Sequence, residues 1–283
     1  MFIIKVIYVK IISKYYGSIL IIGRSNAGKS TLLNTLIGEK ISIISHKINT
    51  TNSNIIGIYN KNSYQIEYID TPGNIFYNNK ILNSLKNNKY NYIFFILDRN
   101  RWNYIEKKFV KILNKITIPI ILIINKIDQI NNKNILLPYI NFLKKKINFI
   151  SLFMISAKYK LYTNDINNFI CKKLPKKKHH YPSNYITNQT KEFIFKEIIR
   201  ESIIKYLHKE LPYLINIKVN YIKKLKNLLN KINIFLLVKN INQKKIIIGK
   251  NGIKIKLIKS RSKKNIEKFL KKKINLNLWI KIK

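Results

Sequence analysis

The sequence predicts an α/β domain on a mostly parallel, doubly wound sheet, followed by a smaller α+β domain. Three observations carry this. From Ser18 to about Ile170, short apolar runs alternate with polar segments of helix length. Two of those runs, 92–97 and 118–124, are almost continuously apolar, as strands covered on both faces must be. Beyond a stretch rich in lysine and proline, the order of elements changes to α-β-β-α-α-β. The expected boundaries are 1–172 for the first domain, 173–190 for a basic linker and 191–283 for the second domain.

In the first domain the strand candidates are 19–22, 64–69, 92–97, 118–124 and 149–155. The linker is marked by KKLPKKKHHYPSNYITNQ, two prolines beside a lysine cluster. In the second domain, 191–210 has helical periodicity, and 213–221 and 231–239 read as strands around a lysine-rich turn. A short helix reaches Ile248, a GKNG break follows, 253–272 forms a longer helix, and 274–282 closes as a strand. The apolar residues on both sides of GKNG are expected to pack two helices on one core.

A chain of 283 residues with 46% hydrophobic side chains can bury two such cores and is not a disordered chain. The formal net charge of +43 points to a polyanionic partner. Only five of the 55 basic residues are arginine, so A/T-rich codon drift toward Lys, Ile and Asn competes as an explanation. Distribution is more informative than total. Residues 190–283 carry 26 basic and 5 acidic side chains, against 24 and 7 over residues 1–171. The lone Cys171 excludes an internal disulfide and suits a reducing cytoplasm, and no apolar run reaches the roughly 18–20 residues of a membrane span.

The chemistry begins with the glycines. Two of only eight frame Gly23-Arg24-Ser25-Asn26-Ala27-Gly28-Lys29-Ser30, followed by Thr31, between an apolar strand and an amphipathic helix. This is the phosphate-binding P-loop pattern, in which backbone N–H groups and a helix N-terminus cradle a β-phosphate. Lys29 reaches the β/γ-phosphates and Ser30 supplies a hydroxyl to Mg²⁺. Alone, the loop does not separate ATP from GTP.

Three further turns follow in order, each at a strand end. In Asp70-Thr71-Pro72-Gly73, with Asn74 next, Asp70 holds Mg²⁺ through water and the Gly73 N–H meets the γ-phosphate. In Asn125-Lys126-Ile127-Asp128, the Asp128 carboxylate accepts from guanine N1–H and N2–H₂, a pair adenine does not offer. Ser156-Ala157 presents a backbone N–H to guanine O6. The four turns together select GTP and GDP. Thr50-Thr51 lies in the loop before the second strand candidate, and Thr51 is chosen over Thr50 as the Mg²⁺ ligand that senses the γ-phosphate. Lys29, Thr51 and Gly73 are the candidate catalytic groups.

In the second domain, Ile248-Gly249-Lys250-Asn251-Gly252-Ile253 fits a loop on which a nucleic-acid backbone presses, with Lys250 and a helix N-terminus at the phosphates and with Ile248 and Ile253 lining a groove for about four unpaired bases. A GxxG alone also fits a plain helical hairpin; the six-element order around it favours the KH domain. His179 and His180 have no carboxylate or thiol beside them to complete a metal site. Trp102 and Trp279 read as packing residues.

With these motifs, the runs YYGSILIIGRSNAGKSTLLNTLIGEKISIISHKINTTNSNIIGI, DTPG, RWN, INKIDQI and ISAK, together with the linker, resemble the Era family of ribosome-assembly GTPases from about residue 15 onward. The resemblance implies a P-loop GTPase domain and a type II KH domain. It also implies slow, Mg²⁺-dependent GTP hydrolysis, on the order of 10⁻⁴–10⁻² s⁻¹ as for unassisted GTPases. The implied partners are 16S rRNA and the small (30S) subunit, with loose association at the inner membrane surface; the chain is expected to be monomeric and cytoplasmic. Asn26 stands where related GTPases place a potassium ligand. Departures from the family pattern are Asn74, where the family usually has an apolar residue and Ras-like enzymes a water-orienting glutamine, a short 74–90 segment, and Asn52 in place of the arginine usual after the paired threonines. They leave open an RNA-binding chaperone that binds GTP without turnover, and a membrane-surface GTPase is the third reading.

Overall fold

The computed structural model describes residues 13–42, 54–72, 87–207, 211–223 and 230–283, with positions 83 and 85. Its first domain is a six-stranded sheet in the order β2-β3-β1-β4-β5-β6. The strands are β1 Tyr15–Ile22, β2 Ile55–Lys61, β3 Tyr64–Asp70, β4 Tyr92–Asp98, β5 Ile120–Asn125 and β6 Ser151–Met154. All neighbours run parallel except β2, which pairs antiparallel with β3. The helices are α1 Lys29–Ile37, α2 Tyr104–Leu113, α3 Leu136–Lys146 and α4 Thr163–Lys173.

Because β1, β4 and β5 are buried on both faces, they feed two cores. Leu20, Ile22, Phe95 and Leu122 point to the α2–α3 side, while Ile19, Ile21, Phe94 and Ile121 point to the α1–α4 side. This alternation of faces within near-continuous apolar runs is the parallel-sheet pattern read in the sequence.

β2 was not among the strand candidates. Its sequence, IIGIYNK, carries a glycine at its centre, which weakens a strand reading. The packing explains the glycine: a Cβ on Gly57 would stand 2.8–2.9 Å from side-chain carbons of Ile41, Leu33 and Ile37. Helix α1 and its exit crowd the strand, and only a bare backbone fits.

The second domain follows the expected order with one addition. Helix α5, Lys191–Tyr206, is succeeded by a single turn α6, Leu211–Leu214, then β7 Asn216–Lys223, β8 Asn230–Val238, α7 Ile241–Ile248, α8 Ile253–Leu270 and β9 Ile274–Ile282. The start of the first strand, expected at 213, is displaced by α6, with Pro212 in its first turn. The sheet order is β7-β8-β9, antiparallel then parallel. Ile232, Ile234, Leu236, Ile274 and Leu276 face α5 and α8 in one core.

The segment between the domains lies against the sheet. Tyr15 bridges to Lys176 and Gly57 to Thr187, while the Ile58 N–H donates to the Ile186 carbonyl at 2.9 Å. Gln65 Oε1 accepts from the His180 and Tyr181 N–H groups. Buried Glu67 accepts from the hydroxyls of Tyr16 and Tyr181. His179 Nε2 lies 2.9 Å from the Ser63 carbonyl oxygen and His180 Nδ1 lies 3.3 Å from the Tyr16 hydroxyl. Both rings thus serve to fasten the segment. Among the described residues no helix is long and apolar enough to cross a membrane.

Candidate functional site

β1 ends in the P-loop, and Gly28, in the left-handed region at φ 100°, is the N-cap of α1. Lys29 is buried, and its ammonium donates to the carbonyls of Gly23 (2.9 Å) and Arg24 (3.0 Å). Burial pushes its pKa down to about 8, with Asp70 pulling the other way. These two carbonyls curl the loop around the ammonium, and the Ala27 N–H closes the turn on the Arg24 carbonyl at 3.3 Å.

Asp70, the last residue of β3, is fully buried. One carboxylate oxygen, Oδ2, accepts from Ser30 Oγ at 2.6 Å and from Ser42 Oγ at 3.3 Å. The other, Oδ1, is buried without a well-formed hydrogen bond. Burial raises the Asp70 pKa, opposed by Lys29 and by the two serine hydroxyls. A buried carboxylate with one orphaned oxygen, beside hydroxyl oxygens and no soft ligands, is a donor set for Mg²⁺. Ser30 and Asp70 would hold the ion, which would neutralise charge on the β- and γ-phosphates. Thr71 Oγ1 donates to the Ile21 carbonyl at 2.8 Å and ties this turn, which continues into Pro72, to the strand that feeds the P-loop.

The base end is assembled by Asn125. Its Nδ2 donates to the Ala27 carbonyl at 2.9 Å and its Oδ1 accepts the Ala157 N–H at 3.0 Å. Three loops are thereby joined by one amide. Ser156 is fully buried and its N–H donates to the Leu161 carbonyl. A guanine O6 at this loop therefore competes with Asn125 for the Ala157 donor. Ile127 is buried and anchors the short 3₁₀ turn Ile127–Gln129, on which the Asp128 side chain is exposed. Lys126, at φ 63°, extends over the P-loop, its ammonium 2.5 Å from the Asn26 carbonyl and 3.2 Å from Asp98 Oδ2.

Thr50, Thr51, Gly73, Asn74 and Asn52 lie outside the described residues. The remaining nucleotide candidates, Gly23 through Thr31, Asp70, Thr71, Pro72, Asn125 through Asp128, Ser156 and Ala157, gather at the carboxyl ends of β1, β3, β5 and β6. That is where parallel sheets bind ligands.

Three residues were missed in the sequence. Ser42 reaches Asp70, and Asn34 holds Ser42 in place by accepting its N–H and donating to its carbonyl. Neither belongs to a short motif. Asp98, ending β4, receives Arg24 (2.9 Å), Arg99 (3.0 Å) and Lys126. Burial opposes ionisation there, but the Arg99 hydrogen bond and the Lys126 charge outweigh it and hold the pKa below the ordinary carboxylate value. A carboxylate at the end of a buried strand was a readable signal. Arg24, counted with the phosphate loop, spends its guanidinium on Asp98 and buried Glu106.

In the second domain, Gly249, Asn251 and Gly252 take φ of 71°, 50° and 73°, and the turn closes with the Gly252 N–H on the Gly249 carbonyl at 3.1 Å. Lys250 is exposed at the head of α8. The isoleucines around the loop divide between core and solvent, and Ile253, expected with Ile248 to line a groove, lies on the open side. Ile247 and Ile258 are fully buried, whereas Ile246 and Ile253 are about half exposed, at 49% and 54%. Successive helix residues are turned by about 100°, so Ile246 points away from the core that Ile247 enters, and an apolar face opens beside the loop. Trp102 packs edge-on against Phe142, but Trp279 is 56% exposed on the outer face of β9, contrary to the packing expectation.

A mononucleotide-binding α/β domain with a guanine-reading turn, joined to a GxxG-bearing α+β domain, defines a P-loop GTPase fused to a KH domain. Family models agree: residues 18–126 match the 50S ribosome-binding GTPase family and residues 192–283 the KH domain. The chain is 47% identical to GTPase Era of Buchnera aphidicola subsp. Acyrthosiphon pisum strain APS, covering 97% of this chain and 99% of that protein. It is 36% identical to GTPase Era of Yersinia pestis strain Pestoides F, over 95% and 91%. Aquifex aeolicus Era, in a variant bound to GDP and AlF₄⁻, superposes with a TM-score of 0.84 at 31% identity over 95% and 94% of the two chains. An Era complex with MgGDPNP and nucleotides 1506–1542 of 16S ribosomal RNA gives the same values. The chain belongs to the Era family of GTPases.

Proposed function

We propose that the chain is a nucleotide-gated RNA-binding switch that engages the 3′ end of 16S rRNA and assists assembly of the 30S subunit. One observation carries the reading: a guanine-type P-loop site and a GxxG clamp stand on a single chain. It is supported by the Era complex in which both a GTP analogue and a 16S rRNA fragment are bound, at 31% identity over nearly the whole chain. Within it, the P-loop donors and Lys29 hold the phosphates, Asp128 reads guanine, and the exposed Lys250 and open Ile253 face unpaired RNA.

The finer parts of the reading are potassium at Asn26, Thr51 as the γ-phosphate sensor, monomeric action in the cytoplasm and loose contact with the inner membrane surface. Single-turnover hydrolysis in K⁺ against Na⁺ tests the first, and flotation with anionic vesicles the last. Crosslinking the purified protein to 16S rRNA tests the main proposal. GTP and GDP should give different yields at the 3′ end; equal yields in both states would leave an RNA chaperone without a switch.

A further inference from the structure

The outer face of the KH sheet carries features that neither the nucleotide site nor the GxxG clamp uses. Inward positions of β8 and β9 are buried, so the register turns Asn233 and Phe235 of β8, with Asn277, Trp279 and Lys281 of β9, to the opposite side. One row across the three strands reads Lys218, Phe235, Trp279. Lys281 Nζ sits 4.2 Å from the centre of the Phe235 ring, and Asn277 Nδ2 donates to Asn233 Oδ1 at 3.0 Å. No aspartate or glutamate occurs in β7, β8 or β9.

Cross-strand pairing explains why two aromatics stand side by side. It does not explain why a tryptophan is more than half exposed among lysines with no carboxylate in any strand. Aromatic faces that stack on bases, interleaved with cations for the backbone, are the composition of a single-strand nucleic-acid surface. We propose that the Phe235–Trp279 face is a second RNA site, a stacking platform for unpaired bases, separate from the GxxG clamp. Charge complementarity argues for a polyanion, and the exposed π-face for bases over an acidic peptide. The geometry also suits one continuous strand. β9 is the sheet edge and both clamp helices, α7 and α8, pack against it from the inner side. RNA leaving the clamp has to cross only that edge to reach Trp279.

The proposal rests on the RNA-binding reading, and the experiment keeps the two apart. The chain has two tryptophans, so in full-length Trp102→Phe protein Trp279 is the sole reporter. Binding of a labelled oligouridine of about 12 nucleotides is followed by anisotropy, with Trp279 emission read in the same titration. Stacking predicts that emission is quenched as binding saturates, and that the quench persists in the clamp variant Gly252→Asp. Trp279→Ala should weaken binding roughly 5- to 100-fold, the range that base–aromatic stacking contributes. Trp279→Phe should restore most of it, and GTP affinity should not change in either. Saturable binding with unchanged Trp279 emission would overturn the platform and leave the clamp standing. No oligonucleotide binding would overturn both. Equal quenching by oligoglutamate would assign the face to an acidic protein instead.

Discussion

A Cβ added to Gly28 would stand 2.1 Å from the Asn125 side-chain nitrogen, so the phosphate loop and the base-reading turn share one contact with no slack. Gly28→Ala meets both that collision and a φ of 100° that L-residues avoid. Strain of this kind costs about 1–3 kcal/mol. GTP and GDP affinity should therefore fall about 5- to 150-fold. Asn125→Ala relieves the collision but unfastens Ala27 and Ala157, so the double variant should not return to wild-type affinity. Recovery to wild type in fluorescent-nucleotide titrations would show that Asn125 only occupies space.

Asp128→Asn exchanges an acceptor for a donor at an exposed side chain on the Ile127–Gln129 turn. Preference should move from guanine to xanthine nucleotides, with GTP affinity falling by a factor on the order of 10⁴. Competition between GTP and XTP measures it, and unchanged GTP affinity would remove Asp128 from the base site.

Lys29 gives nucleotide binding a pH signature. With its pKa held at about 8 by burial, the ammonium is half deprotonated near that pH and largely neutral a unit above it, and phosphate oxygens favour the protonated form. GTP affinity should fall as pH rises from about 8 to 10, by up to tenfold per unit, with uptake of up to about one proton on binding. For folding alone the sign is opposite. The folded pKa lies below the unfolded 10.5, so the unfolded chain holds more protons between them, and the Lys29 contribution to stability improves with pH across that window. Calorimetry at pH 9 in buffers of different ionisation enthalpy tests this; a buffer-independent heat would sink it.

Glu201, on α5, is buried and meets Lys40 at 2.7 Å and Arg261 at 3.3 Å, so one carboxylate links the exit of α1 to the helix that follows GKNG. Lys40 lies two residues before Ser42, which touches Asp70. Glu201→Gln should cost about 1–3 kcal/mol, less than a fully buried pair because both cations remain near a third exposed. It should also weaken the response of RNA affinity to GTP against GDP. Thermal melts and paired RNA titrations separate the two effects; an unaltered nucleotide response would make the contact purely structural.

Much of this molecule was legible before its structure. Near-continuous apolar runs such as 120–125 disclose a doubly covered parallel strand, and the described residues of GRSNAGKS, DTPG, NKID and SA fall at strand ends, where their chemistry was expected. What stayed hidden has specific physical causes. β2 was obscured by Gly57, whose reason is a helix packed above it. Ser42 carries no motif and reaches Asp70 only because Asn34 holds its backbone. Trp279 was misread because one residue of strand register decides which face it occupies.

The basic segment pinned across β1, β2 and β3 shortens the leash between the two modules. Thr187 Oγ1 is fixed to the Ile56 carbonyl at 2.6 Å, and Thr190 already caps α5. Only Asn188 and Gln189 lie between them, and the three Cα steps from 187 to 190 span roughly 10 Å at full extension. While the segment stays pinned, a tether that short keeps the RNA module beside the sheet and favours pivoting over drifting away, like a gate on a post. A nucleotide-driven shift passed through that post would reach the RNA module as rotation, small at the post and larger at the far rim.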